Sequence, residues 1–263
     1  MPIDFHDNAN RFTYAEREVR ADWTAAIRSL VEPAGRHVLD VGCGGGVYSP
    51  AWLGLGAASV MGVDFSAAML SAARERLGGL AGLTFHQGDA LATGLPDGCG
   101  DIVFERALIH HVADLDGCFA EAYRLLASGG TLIVQDRTIE DVDRPGSPTH
   151  LRGYFFERFP SLLEVERGRR PAAAAVEQAM RTAGFGRLRT LSLREVRREY
   201  ADKTEVRADI LARTGRSILH ELSDAQLVEI ADYIDERLPD GEPIREADHW
   251  TLWAGTRQAE SLA

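Results

Sequence analysis

Residues 38–46, Val-Leu-Asp-Val-Gly-Cys-Gly-Gly-Gly, constrain the fold more than any other stretch of this chain. A short apolar run leads into an acid, Asp40, and then into four glycines within the five positions 42–46. An apolar run of this length bounded by turn residues reads as a strand buried on both faces. Glycine lets the chain turn with positive φ and lets its backbone lie against a ligand. A helical pattern follows over residues 47–55, so the unit is strand, glycine loop, helix. The amides that open such a helix favour a carboxylate, and Asp40 sets a negative charge close by. A ligand with both an ammonium and a carboxylate matches this pair of features.

Two nucleotide fingerprints can be tested against the loop. The dinucleotide pattern Gly-x-Gly-x-x-Gly fails in both registers, because Val47 or Ser49 stands where its last glycine belongs. The phosphate loop needs Gly-Lys-Ser/Thr, and the loop holds no lysine. Asp40 would also repel a pyrophosphate. The ligand is therefore expected to be a nucleoside without phosphates.

The rest of the chain repeats the same alternation. Strands are expected at 37–41, 59–63, 83–87, 101–105 and 131–136. Helices are expected at 14–31, 47–55, 67–77 and 115–126, with Ser66 as an N-cap. Strand–helix–strand crossovers are right-handed almost without exception, which yields an open parallel sheet covered by helices. Beyond residue 136 the rhythm changes. Residues 141–150 read as a loop, and Tyr154, Phe155, Phe156 and Phe159 form an aromatic cluster. A helix at 171–183, a strand at 187–194, helices at 203–214 and 224–238, and a last strand at 249–256 complete the count at seven strands. Residues 141–160 and the two late helices look like a cap over the carboxyl ends of the strands, where open α/β sheets bind ligands.

The motifs occur in a recognisable order. Asp40-Val41-Gly42-Cys43-Gly44-Gly45-Gly46 is followed by Gly62-Val63-Asp64-Phe65-Ser66, Gly88-Asp89-Ala90, Asp101-Ile102-Val103-Phe104 and the turn Leu126-Ala127-Ser128-Gly129-Gly130. Over residues 36–136 this succession resembles the class I S-adenosylmethionine-dependent methyltransferases. The resemblance implies a doubly wound, mostly parallel, seven-stranded Rossmann-like α/β sheet with a helical cap built from C-terminal insertions. It divides one domain into residues 1–35 covering the cofactor site, 36–140 binding S-adenosyl-L-methionine, and 141–263 completing the sheet and cap. It further implies that Gly42 and Gly44 lie along the methionine moiety and that Asp40 holds its ammonium. Asp64 takes the ribose hydroxyls, a task suited to the two oxygens of a carboxylate. Phe65 and Met69 flank the adenine, and Asp89 and the Ala90 amide bond its edge. Glu105, Arg106 and Ala107 end the fourth strand beside the sulfonium.

Methyl transfer from a sulfonium is an in-line displacement that needs alignment and, for some acceptors, removal of a proton. His110 and His111 are the candidate bases, since an imidazole titrates near neutrality. Tyr14, Arg17, Tyr48, Arg137, Arg152, Tyr154, Phe155 and Trp250 are the candidate contacts to a small-molecule substrate. Two other readings keep the fold: a non-catalytic S-adenosylmethionine-binding protein and a nicotinamide-dependent oxidoreductase.

Composition narrows the partners. A formal net charge of −11 disfavours nucleic acid and anionic membranes. The arginines of 187–198 interleave with Leu188, Leu191, Leu193 and Val196, the pattern of a strand with one solvated face. No apolar run is long enough to span a bilayer, and the polar start is unlike a secretory signal, so a cytoplasmic protein is expected. The 3 cysteines form no Cys-x-x-Cys pair, and no metal is expected.

Overall fold

The alternation resolves in the computed structural model, which describes residues 19–258, into seven strands. They are β1 (His37–Val41), β2 (Ser59–Asp64), β3 (Leu83–Gln87), β4 (Gly100–Arg106), β5 (Leu126–Asp136), β6 (Phe185–Tyr200) and β7 (Ile244–Arg257). They form one sheet of order β3-β2-β1-β4-β5-β7-β6. The first five strands pair in parallel and β7 pairs antiparallel to both β5 and β6. Strand order reverses between β1 and β4, and a crevice opens at their carboxyl ends for that reason.

Period-two alternation sends neighbouring residues to opposite faces of the sheet. Val38, Phe104, Ile133, Trp250 and Leu252 pack on one face with Trp23 and Ile27 of α1 (Ala21–Leu30) and Trp52 of α2 (Ser49–Gly54). Leu39, Val103, Leu132 and Trp253 pack on the other. Their partners there are Phe119 and Leu125 of α4 (Leu115–Leu125) and Val176 and Met180 of α8 (Ala173–Thr182). Between α2 and α4 lies α3 (Ala67–Leu77), whose Ser66 cap accepts the Met69 N–H.

A third core belongs to the cap. It joins Tyr154, Phe155 and Phe156 on α6 (Leu151–Arg158) to Leu162 on α7 (Ser161–Arg169), Val206 and Ile210 on α9 (Lys203–Leu211), and Leu227 and Ile230 on α10 (Asp224–Asp235). A short α5 (Ile139–Val142) links this layer to β5. The cap is fixed to the extended ends of β6 and β7 by a buried polar cluster. Arg216 bonds Asp209 and, at 2.6 Å, Glu246, while the Tyr200 hydroxyl lies 2.8 Å from Asp209.

Several boundaries differ from the sequence reading. The expected helix 14–31 is described only from residue 19 onward, where α1 begins at Ala21. α2 starts two residues late, because the glycine turn runs on through Tyr48 before Pro50 enters the first helical turn. The sequence reading has no counterpart of α7, and residues 141–142, read as the start of a loop, close the short helix Ile139–Val142. β6 and β7 run well past 187–194 and 249–256, through the buried acids Glu195, Glu246 and Asp248. Acids in a strand look like a solvated loop until their partners are known. Among the described residues no helix is long and apolar enough to cross a membrane.

Candidate functional site

The glycine loop is shaped by three left-handed residues, Gly42, Gly44 and Gly46, with φ of 73°, 52° and 71°. A side chain at Gly42 would also place its Cβ 2.9 Å from Leu108 Cδ1. The Gly42 and Cys43 amides donate to the Val63 carbonyl at 2.8 and 3.0 Å, which ties the loop to β2. Asp64 closes β2 and is held by backbone on both oxygens. Gly44 N–H donates to Oδ2 at 2.8 Å and Ser66 N–H to Oδ1 at 2.9 Å. Loop and acid are thus positioned as one unit. Asp40 is buried under the loop and accepts a 2.6 Å hydrogen bond from the Ser49 hydroxyl. Burial raises its carboxyl to about 6, while Ser49 and Arg106 restrain the rise.

A cavity of about 580 Å³ runs from this loop to the underside of the cap. That size suits a small ligand pair, since such pockets fall at about 300–1,000 Å³. Its loop end is lined by Asp40, Gly42, Gly44, Asp64, Met69, Asp89 and Ala90. Phe65 lines it too and leaves 45% of its surface exposed, an apolar ring beside a void. Of the sequence-predicted substrate residues, Tyr48, Arg137, Arg152 and Trp250 line the other end, together with Arg106, Ala107, His110 and His111. Ala107 takes φ 52°, a left-handed conformation without the glycine exemption. Such strain, of order 1 kcal/mol or more, concentrates at ligand sites.

The cap end is densely charged yet buried. Arg106 stacks 4.0 Å from the Tyr48 ring centre and 4.3 Å from that of Trp250, and pairs with Glu195 at 2.8 Å. The Tyr48 hydroxyl donates to the same carboxylate. Arg137 lies 3.9 Å from the Trp250 ring centre and pairs with Asp248 at 2.8 Å. His110 Nδ1 sits 3.0 and 2.9 Å from the two oxygens of Asp136. Burial alone would raise Asp136, but His110 and Arg170 hold it well below the ordinary carboxylate range. An ionised carboxylate only accepts, so Nδ1 carries the hydrogen and Nε2 keeps a basic lone pair. Burial lowers the His110 pKa, and nearby Arg170 and Arg169 add to this against the pull of Asp136, so the ring is neutral at pH 7.

Three expected residues lie elsewhere. Glu105 does not line the cavity: it alternates with Arg106 along β4, so its carboxyl faces α4, where Cys118 Sγ donates to it at 3.7 Å. Burial raises this carboxyl to about 8, with Asp136 adding to the rise. Tyr154 and Phe155 point into the cap core, with Tyr154 edge-on to Tyr233 at 6.2 Å, because α6 turns its Arg152 toward the cavity instead. Tyr14 and Arg17 fall outside the described residues.

The sequence reading missed Asp136 as the partner of His110, and missed Arg170, Gly215 and Ser217 among the lining residues. An acid closing β5, next to the end of β4, was the available signal for Asp136. Nothing local marks the other three.

Residues 39–134 match the family model described as a methyltransferase domain. A trans-aconitate 2-methyltransferase of Acidovorax sp. (strain JS42) is 39% identical over 120 residues, covering 45% of this chain and 44% of that protein. A ubiquinone biosynthesis O-methyltransferase of Pseudomonas fluorescens (strain SBW25) is 35% identical over 115 residues, covering 43% and 47%. The chain thus spans less than half the length of these relatives. Among solved structures, a Haemonchus contortus phosphoethanolamine N-methyltransferase 2 in complex with S-adenosyl-L-methionine superposes with TM-score 0.62 at 19% identity, over 97% of this chain and 60% of that one; this likeness speaks for the fold.

The residues present fit that nucleoside. Asp64 offers two fixed oxygens for a diol, Phe65 and Met69 form an apolar wall for a flat ring, and Asp40 faces the glycine loop where an ammonium would lie. No lysine or arginine of the loop awaits a phosphate. Over residues 39–134 this chain is accordingly similar to methyltransferase domains, and its glycine loop and Asp64 suit S-adenosylmethionine.

Proposed function

We propose that this protein transfers the methyl group of S-adenosylmethionine to a small-molecule acceptor held beneath the helical cap. The observation that carries this reading is the continuity of one cavity from the glycine loop to Arg137, Arg152 and Trp250. A cofactor-binding protein without an acceptor has no use for the cap end of this cavity. Residues 36–140 hold the cofactor, and the part of the chain from residue 141 completes the sheet and the cap. Asp40, Gly42 and Gly44 bind the methionine end, Asp64 the ribose, and Phe65, Met69, Asp89 and Ala90 the adenine. The bound cofactor supplies an electrophilic methyl group.

His110 is the base of this reading. Asp136 fixes its ring and leaves Nε2 to take a proton from an acceptor hydroxyl or amine; His111, stacked at 4.0 Å, supports it. Arg106, clamped between Tyr48 and Trp250, lines the cavity. At the cap end Asp136, Arg137 and Arg152 are buried, which strengthens the interaction of their charges. The net charge of −11 supports a small molecule over nucleic acid as the acceptor. Three free cysteines are in keeping with a reducing cytoplasm.

Calorimetry against S-adenosylhomocysteine and NADH tests the reading. Micromolar binding of the first and none of the second is expected, with Asp64→Ala weakening binding about 10-fold or more through loss of charge-assisted hydrogen bonds. Binding of NADH alone would overturn it. Tight S-adenosylhomocysteine binding with no methyl transfer to any of a broad set of small hydroxyl, amine and carboxylate compounds would leave a cofactor-binding protein instead.

A further inference from the structure

We propose that the acceptor carries a carboxylate and that Arg152 on α6 is the residue that grips it. The inference rests on the methyl-transfer reading and adds the chemical class of the acceptor.

The argument begins with pairing. Four guanidinium groups, of Arg137, Arg152, Arg169 and Arg170, share three carboxylates at the cap end, those of Asp136, Glu166 and Asp248. Glu166 is held by Arg170 at 2.5 Å and by Arg169 at 2.6 Å. Asp248 is held by Arg137 at 2.8 Å. Asp136 divides itself between His110 at 2.9 Å and Arg170 at 3.3 Å. Arg152 receives only the outlying contacts, 3.3 Å to Glu166 and 3.9 Å to Asp248. Its Nε is buried without a hydrogen-bond partner. The side chain is 7% exposed and the residue lines the cavity.

A buried guanidinium that must share both its counter-ions is expensive to hold charged. Its environment expresses this: burial, then the facing Arg137, lower the Arg152 pKa to about 9, against the pull of Asp248 and Glu166. An anion entering the cavity supplies the missing partner. Guanidinium donors form a planar fork that matches the two oxygens of a carboxylate. The surplus among these groups is one positive charge, because His110 is neutral there. A carboxylate cancels it, whereas a phosphate dianion would leave a net negative charge in a buried chamber. Glu195 already neutralises Arg106 at 2.8 Å, so Arg106 does not compete for the anion.

Arg152 also sits on the cap rather than on the sheet, so the anion is an anchor that sets the acceptor's orientation. The atom to be methylated is then turned toward the strand ends, beside His110.

The test uses the full chain saturated with S-adenosylhomocysteine. Thermal unfolding is followed with 20 mM acetate, benzoate, acetamide, benzamide or inorganic phosphate at constant ionic strength. The carboxylates should raise Tm over the matched amides by roughly 3 °C, as expected for a ligand at some twenty times its Kd. Arg152→Gln should abolish the difference and Arg152→Lys should keep part of it. Equal shifts for amides and carboxylates, a larger shift with phosphate, or an undiminished response in Arg152→Gln would each overturn the proposal. Should Arg152→Gln fail to fold, the wild-type carboxylate–amide comparison still decides. Calorimetry with S-adenosylhomocysteine, run on the same material, separates the two readings. No cofactor uptake sinks methyl transfer, whereas uptake without a carboxylate response sinks this inference alone.

Discussion

Glu105 offers a sharp test, because strand alternation turned it away from the cavity. Its carboxyl is buried with Oε2 lacking a partner and is raised from 4.5 to about 8 by burial and by Asp136. Between those two values the folded protein holds a proton that the unfolded chain has released. Stability therefore falls as pH rises through this window and is flat outside it. Each pH unit is worth about 1.4 kcal/mol when the difference is one full proton. Between pH 6 and pH 9, allowing for the approach to the folded pKa, this amounts to about 2.5 kcal/mol. With an unfolding entropy of about 2 cal/mol/K per residue, the loss corresponds to roughly 5 °C in Tm.

Glu105→Gln removes the titration and keeps the shape. Other groups, Asp40 among them, titrate alike in both proteins and cancel in the comparison. Urea unfolding of the two proteins at pH 6, 7, 8 and 9 should give curves that approach each other on the acid side and diverge on the alkaline side. The wild type should gain about 2.5 kcal/mol on the variant from pH 9 to pH 6. Affinity for S-adenosylhomocysteine should stay within about threefold, less than one lost hydrogen bond would cause. Parallel stability curves would refute the burial argument, and a tenfold loss of affinity would return Glu105 to the cofactor site.

Other perturbations follow the same logic. His110→Ala should lower kcat by about 10²–10⁴ while cofactor affinity stays level. Because the neutral ring is the active form and burial lowers its pKa, wild-type kcat/KM should persist to below pH 6.5 and fail only under the folded value. Asp136→Asn should mimic the loss by favouring the wrong tautomer. Gly42→Ala combines φ 73° with a 2.9 Å contact to Leu108 and should cost on the order of 1–3 kcal/mol together with cofactor affinity. Gly79→Ala, where nothing stands within 4 Å, is the control. Arg216→Met strands Asp209 and Glu246 in the cap and should cost about 3 kcal/mol or more by urea unfolding. A loss under 1 kcal/mol would mean that Arg197, at 2.9 Å from Glu246, carries the cluster by itself.

The glycine loop and Asp64 were legible in the sequence, because their geometry is written in local backbone demands. Gly42, Gly44 and Gly46 stand where the chain needs positive φ. Asp64 is two residues from the amide that fixes one of its oxygens. Strand periods, caps and turns lie within a few residues of one another, so a linear reading recovers them.

The cap end of the cavity was decided by tertiary structure. Glu195 meets Tyr48 across 147 positions, and Asp248 meets Arg137 across 111. A charged residue in a strand reads as solvated until the distant partner that neutralises it is in place, which is why β6 and β7 were read short. The same reason hid the pairing of Asp136 with His110 and with Arg170. Alternation along β4 also separated Arg106 from Glu105, neighbours in sequence and on opposite faces of the sheet. Local periodicity determines which backbone forms, whereas a buried charge is settled only by what the fold brings against it.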